Sequence, residues 1–204
     1  MDALSTGISV LDRQFGGGLP AGSVVALKAE PASQSELLLE RFARPRPCRY
    51  LTTVRSVDAV ESELEGAGSD TTVAAVDEED PLGEVLEAGG ALGDNETLVV
   101  DSIGPLEETD AARYGGFLGD LRQRVVDIDG VAVLHALKGG PTSQSRIVSE
   151  QIADVVLDLR TTVTGTEIAN RLVVPKFRGG AALEEPLKLK LTDTVTIDTS
   201  RDIA

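Results

Sequence analysis

Residues 24–43 read VVALKAEPASQSELLLERFA. An apolar run, a tight loop and an amphipathic stretch follow one another, the layout of a strand, a turn and a helix. Such a junction is where many proteins hold a nucleotide's phosphates, because the free N–H groups of the first helical turn attract anions. A working phosphate loop reads G-x-x-x-x-G-K-[ST]: glycines let the backbone curl around phosphate, lysine neutralises it, and the hydroxyl holds magnesium. Aligned on strand and helix, the corresponding positions are Ala29, Gln34, Ser35 and Glu36, and none carries the required residue. The loop between, Glu30, Pro31, Ala32 and Ser33, supplies no cation, and Lys28 precedes it.

The rest of the loop is explained by local structure. Ser33-Gln34-Ser35-Glu36 fits the capping box S-x-x-E, which predicts that Ser33 covers the first turn and Glu36 reaches back to it. Ser35 is read as a helix-start serine. Glu36 and Glu30 place negative charge where phosphate would sit.

The chain has 204 residues and a formal charge of −15, from 19 basic and 34 acidic side chains. A single domain over residues 1–204 is expected. That charge disfavours nucleic acid and anionic membranes as partners. Cys48 is the one cysteine and His135 the one histidine, so an internal disulfide is excluded and no metal site is expected. No apolar run reaches membrane-spanning length, and the N-terminal MDALSTGISVLD lacks the basic start and apolar core of a signal peptide. A soluble, cytoplasmic protein is expected. Widely spread acids, scarce lysine and small residues in place of aromatics point to an acidic protein of a halophilic host.

Charge is uneven along the chain. RFARPRPCRYLTTVR, residues 41–55, carries five arginines and no acid, whereas residues 56–112 carry seventeen acids and no lysine or arginine. The simplest expectation is that island and tract neutralise each other across neighbouring loops.

Short apolar runs rich in Val, Ala, Leu and Thr occur at 23–28, 50–54, 72–76, 97–101, 130–135 and 153–159. They read as strands buried on both faces of a parallel sheet. Helix-like stretches at 35–42, 57–65, 82–92, 109–126 and 143–151 alternate with them, which predicts an α/β, doubly wound, mostly parallel sheet. After Leu159 the pattern changes. TTVTGTEIANRLVVPKFRGG reads as two strands around a Gly-containing turn and LKLKLTDTVTID as further strand, so antiparallel strands are expected at the C-terminal end.

The segments STGISVLDRQFGGGLPAGSVVAL, TLVVDSIGPL, IADVVLDLR and NRLVVPKFRGG together resemble the RecA superfamily of ATPases, within it the KaiC-like and RadA-like branch. The resemblance rests on Thr6, Gly7, Leu11, Asp12, the run Gly16 to Pro20, and Gly22. It implies a RecA-like P-loop NTPase fold with a degenerate Walker A loop. Asp101 then matches the Walker B aspartate, with Ser102 following it, but the glutamate such enzymes place after the second strand is missing from Leu51-Thr52-Thr53-Val54-Arg55. Lys176 and Arg178 match a pattern that reaches across a subunit boundary in KaiC-like ATPases; the alternative is a pair of solvated charges. His135 stands where the family often has a polar residue sensing the nucleotide; the alternative is a histidine merely hydrogen-bonded at a strand end.

With the mechanism of the phosphate loop missing, the expected function is that of a non-hydrolysing regulatory or scaffolding protein, a pseudo-ATPase in signalling or DNA-repair assemblies. It would need no cofactor and would be a homo-oligomer, or a hetero-oligomer with an active RecA-like relative. One alternative is a weak ATPase that uses Mg-ATP at an atypical site, with Lys28 or an arginine of 41–49 replacing the lost charge. Another is a DNA-binding recombinase accessory protein that uses arginines of 41–55 or the loop LKGGPTSQSR, residues 137–146.

Overall fold

The computed structural model describes residues 2–64, 70–165, 167–180 and 183–198. Its centre is a nine-stranded sheet. In chain order the strands are β3 (Ser23–Ala29), β4 (Cys48–Thr52), β5 (Thr71–Ala75), β6 (Thr97–Asp101), β7 (Val131–Leu137), β8 (Val155–Val163), β9 (Ile168–Phe177), β10 (Leu187–Leu191) and β11 (Val195–Ile197). In space they run β11-β10-β9-β8-β3-β7-β6-β4-β5. The six strands from β8 to β5 are parallel, and β9, β10 and β11 add antiparallel. The α/β, doubly wound sheet with an antiparallel C-terminal end is therefore as expected.

Alternation along each strand divides the interior into two cores. Val25, Leu27 and Ala29 of β3, Val99 of β6, and Val131 and Val133 of β7 face α2 (Glu36–Ala43), where Leu38, Leu39, Phe42 and Ala43 cover them. Val24, Leu98, Val100, Ala132 and Leu134 face the other way. There they meet α4 (Pro81–Gly90), α5 (Gly104–Glu107) and α6 (Ala111–Asp127). The two remaining helices of the sheet layers are α3 (Val57–Leu64) and α7 (Gln144–Ile152).

The structure adds three elements that the apolar pattern leaves unmarked: a small sheet of β1 (Ala3–Leu4) and β2 (Leu19–Pro20), and the short helices α1 (Ser9–Gln14) and α5. Each is too short for periodicity to declare itself. The C-terminal strands are also divided differently. The run 153–159 and the start of TTVT form one strand, β8, because Leu159 to Val163 continue the ladder with β9. LKLKLTDTVTID folds back at 192–194 into two strands.

The residues behind the family resemblance prove to be architectural. Asp12 accepts from the Ser5 hydroxyl at 2.6 Å and from the Thr6 amide and hydroxyl at 2.7 Å each, which fastens the chain entering α1. Gly18 sits at φ +137°, where an added Cβ would lie 2.2 Å from the Leu4 carbonyl oxygen. Gly18→Ala is therefore expected to cost on the order of 1–3 kcal/mol, read as a lower midpoint in chemical unfolding.

Cys48, on β4, is 2 % exposed, and burial pushes its thiol up to about 12. A thiol in that state is a poor nucleophile. Native protein at pH 8 is expected to leave a thiol reagent unconsumed, and unfolded protein to consume one equivalent.

Candidate functional site

The site lies at the C-terminal ends of β3, β7, β6 and β4, and sheet register assembles it. Leu27, His135, Asp101 and Thr52 are successive cross-strand partners. Partners in one row share a face, so Asp101, His135 and, two residues before Thr52, Tyr50 all project toward α2. Tyr50 and the alternating residues of β6 and β7 belong to the α2-side core.

Asp101 is 6 % exposed, and neither carboxylate oxygen is spare. Oδ1 accepts from Nδ1 of His135 at 2.6 Å. Oδ2 accepts from the Tyr50 hydroxyl at 2.8 Å, and from Nη2 and Nε of Arg55 at 2.9 and 3.1 Å. An ionised carboxylate has no proton to give, so His135 must carry its proton on Nδ1. Nε2 is hydrogen-bonded to the Ser35 hydroxyl at 3.0 Å. Burial pushes the Asp101 carboxyl up, but hydrogen bonds from His135 and Tyr50 and the Arg55 charge together hold it below its usual value. Tyr50 moves the other way: burial first, then the Asp101 charge, drives its phenol well up.

Arg55 reaches the carboxylate because the chain turns sharply after β4. The Thr52 hydroxyl donates to the Arg55 carbonyl at 2.9 Å and accepts from its amide at 3.1 Å, closing a turn that throws the side chain back over the sheet. Glu63 of α3 pairs with the far side of the guanidinium at 2.5 Å. Beside it, the amide of Ser102 donates to the Thr53 hydroxyl at 3.0 Å, which itself donates to the Ser102 carbonyl at 2.8 Å.

The loop at the phosphate position does not form the expected capping box. The Ser33 hydroxyl donates back to the Glu30 carbonyl at 2.6 Å, and the residue preceding α2 is Ser35, itself in helical conformation with no side-chain cap. The loop is short enough that its own backbone turn, Ser33 amide to Glu30 carbonyl at 2.9 Å, captures the serine. Ser35, fully buried, points inward to His135 instead. Ala29 ends β3 in the core; Glu30, Pro31, Ala32 and Gln34 are exposed; Ser33 and Glu36 are half-buried.

The other cations are engaged inside the protein. Lys28 lies in β3 and pairs with Glu150 at 2.9 Å. Among the described residues, Arg55 alone of the arginine island meets acids of the 56–112 tract. Arg41 donates to the Thr194 hydroxyl, Arg44 pairs with Glu40, Arg46 donates to the Ser5 carbonyl and the Thr97 hydroxyl, and Arg49 donates to the Ala91 carbonyl. Among the described residues, mutual neutralisation of island and tract thus holds at one arginine of five. In the loop 137–146, Lys138 pairs with Asp158 at 2.6 Å and Arg146 with Glu107 at 2.8 Å. Lys176 donates to the Glu150 and Gln151 carbonyls, and Arg178 to those of Gln151 and Ile152, so both close the C-terminal end of α7. Among the described residues no group of three or more His, Cys, Asp or Glu side chains could hold a metal ion, and no helix is long and apolar enough to cross a membrane.

Arg55 and Tyr50 are the site residues that sequence reasoning overlooks. Arg55 stood in view as a cation where RecA-like enzymes carry a carboxylate. Its direction toward Asp101 is fixed by the turn at Thr52, which sequence spacing does not disclose.

Strand order and the β3–loop–α2 junction define a RecA-like fold. A crystal structure of a KaiC-like protein from the hyperthermophilic archaeon Pyrococcus horikoshii OT3 matches it with a TM-score of 0.77 over 96 % of this chain and 99 % of that one, at 17 % identity. By sequence the chain belongs to the family of unknown function DUF7125, whose model matches residues 3–204. It is also similar to the DNA repair protein RadA of Mycolicibacterium smegmatis, 31 % identical over 174 residues, 74 % of this chain and 36 % of that protein. To RadA of Rickettsia bellii it is 26 % identical over 171 residues, 76 % and 38 % of the two chains. The chain thus spans little more than a third of the length of these curated relatives.

Because the folded-state Asp101 carboxyl lies below its unfolded value, the unfolded chain binds the extra proton in acid. Its contribution to stability is complete above about pH 4 and is lost as pH falls through the folded value. Asp101→Asn is expected to flatten that acid dependence and to cost about 3–5 kcal/mol at neutral pH, since it leaves Arg55 without its buried partner. Chemical unfolding of both proteins between pH 3 and 7 measures it.

Proposed function

We propose that this chain is a RecA-fold protein that has exchanged nucleotide chemistry for an internal polar network, and that it acts through protein contacts. The observation that carries the reading is the saturation of Asp101. The carboxylate that would serve magnesium is committed to Arg55, Tyr50 and His135. The residues at the loop do not fit Mg-ATP either. Ala29, Gln34, Ser35 and Glu36 supply neither the permissive backbone nor the lysine, and Glu36 adds like charge to a phosphate. The Walker A loop is on this reading degenerate, and no cofactor is required.

The similarity to RadA and to a KaiC-like protein supports a place in signalling or DNA-repair assemblies, as a homo-oligomer or beside an active RecA-like relative. Lys176 and Arg178 remain the face offered to such a partner, already held in position by the end of α7. The high acidic charge fits a halophilic, cytoplasmic setting. An atypical ATPase is less well supported, because Lys28 is paired with Glu150 and the arginines of 41–49 are turned to other partners. A DNA-binding role is weakened in the same way by the ion pairs of Lys138 and Arg146.

Calorimetric titration with Mg-ATP in high salt is the test. Folded protein is expected to give no saturable heat and no turnover. Saturable binding with turnover abolished in Asp101→Ala would establish the ATPase instead. Light scattering on the eluting protein complements it, since a strict monomer that captures no RecA-like partner would remove the scaffolding role.

A further inference from the structure

The buried network around Asp101 has one end that reaches the surface. Asp101 Oδ1 accepts from Nδ1 of His135 at 2.6 Å, and Nε2 of His135 lies 3.0 Å from the Ser35 hydroxyl. This is the connectivity of a Ser-His-Asp triad, in which the carboxylate fixes the ring and the far nitrogen serves a hydroxyl. Ser35 and His135 are 0 % and 1 % exposed, so no substrate touches either. The Ser35 hydroxyl has a second neighbour, the Ser33 hydroxyl, 3.2 Å away. Ser33 is half-buried and lines a cavity of about 630 Å3 between the loop 30–35 and strands β8, β9 and β10.

The surroundings of Ser33 suit a nucleophile. It sits in the turn from β3 to α2, and a strand-to-helix turn is where other α/β folds present a reactive serine. The helix that follows begins without a side-chain cap, so the N–H groups of its first turn are open to a developing oxyanion. The cavity wall offers aliphatic surface from Ala32, Ile168, Leu189 and Leu191. Glu30 and Glu36 on either side in the chain disfavour an anionic ligand. In the resting arrangement the single Ser33 proton goes to the Glu30 carbonyl at 2.6 Å. A hydroxyl hydrogen rotates to suit its partners, so the same oxygen can turn its proton to Ser35 without moving.

We propose that Ser33 is a nucleophile toward neutral carboxylic esters, activated through Ser35 by the His135–Asp101 pair. With the ring neutral and its proton on Nδ1, Nε2 takes the Ser35 proton as Ser35 takes that of Ser33, and the Ser33 oxygen bonds to the ester carbonyl carbon. The proton returns from His135 through Ser35 to the leaving alkoxide as the ester C–O bond breaks, which yields an acyl-Ser33 and a free alcohol. Water then attacks the acyl group, gives up its proton along the same path, and releases the acid with Ser33 restored. Only Ser33 touches the substrate; Ser35 and His135 act through it.

The test is reaction of the full chain with an alkyl fluorophosphonate, mapped by peptide mass spectrometry, together with hydrolysis of p-nitrophenyl butyrate, both in high salt. Label on Ser33 is expected, with ester hydrolysis above the buffer rate. Ser33→Ala is expected to abolish both. Ser35→Ala is expected to slow both by about a hundredfold, the share general-base assistance ordinarily supplies, and Ser35→Thr, which keeps the hydroxyl, to restore most of that loss. Ser35 is the decisive position, because His135 also serves the buried Asp101 and its loss disturbs the fold. Each variant is compared with the parent by its chemical unfolding midpoint, so that rates are read on folded protein. Absence of label on Ser33, or label formed as fast in folded Ser35→Ala as in the parent, overturns the proposal. That failure would leave the Mg-ATP titration and its reading untouched, since neither depends on the reactivity of Ser33.

Discussion

A carboxylate shut away from water must be paid for by its partners, and Asp101 is the point on which this structure turns. Stripping an ion of its hydration costs several kcal/mol even after relaxation, and good geometry with every lone pair satisfied is what offsets it. Here the offset comes from three separate parts of the chain: His135 on β7, Tyr50 on β4, and Arg55 beyond the turn that Thr52 closes. Ser35 extends the network to α2 through His135. One charge therefore ties helix, sheet and loop together.

The residues that carry the resemblance to RecA-like proteins, Thr6, Asp12 and the glycine run, make hydrogen bonds or tight backbone passages that the fold needs whatever the site does. The residues of the phosphate loop make few such contacts. Glu30, Pro31, Ala32 and Gln34 face solvent, so replacing them disturbs little else.

Much of the cationic surface is likewise spoken for. The arginines of 41–55 and the basic residues of the 137–146 loop hold carbonyls, hydroxyls and carboxylates of their own chain. Lys176 and Arg178 close a helix. Arg122 is different: it stands half-exposed against a carboxylate that already serves another arginine.

The strand–helix alternation and the antiparallel finish were legible in the sequence, because apolar periodicity and residue type are local properties. Short elements such as α1 and α5 were not, since they lack enough turns to show a period. The capping box misled because a local pattern offers Ser33 several partners, and the nearest carbonyl took it. The sequence by itself determined that the loop lacks lysine and glycine, that Asp101 ends a buried strand, and that a cation follows β4. Only the tertiary structure decided that Ser35, His135, Tyr50 and Arg55 converge on Asp101, and that Arg122 and Arg178 meet at Asp154. Those meetings depend on sheet register and on strand order, such as β3 beside β7 and β7 beside β6, which join residues 24 to 100 positions apart.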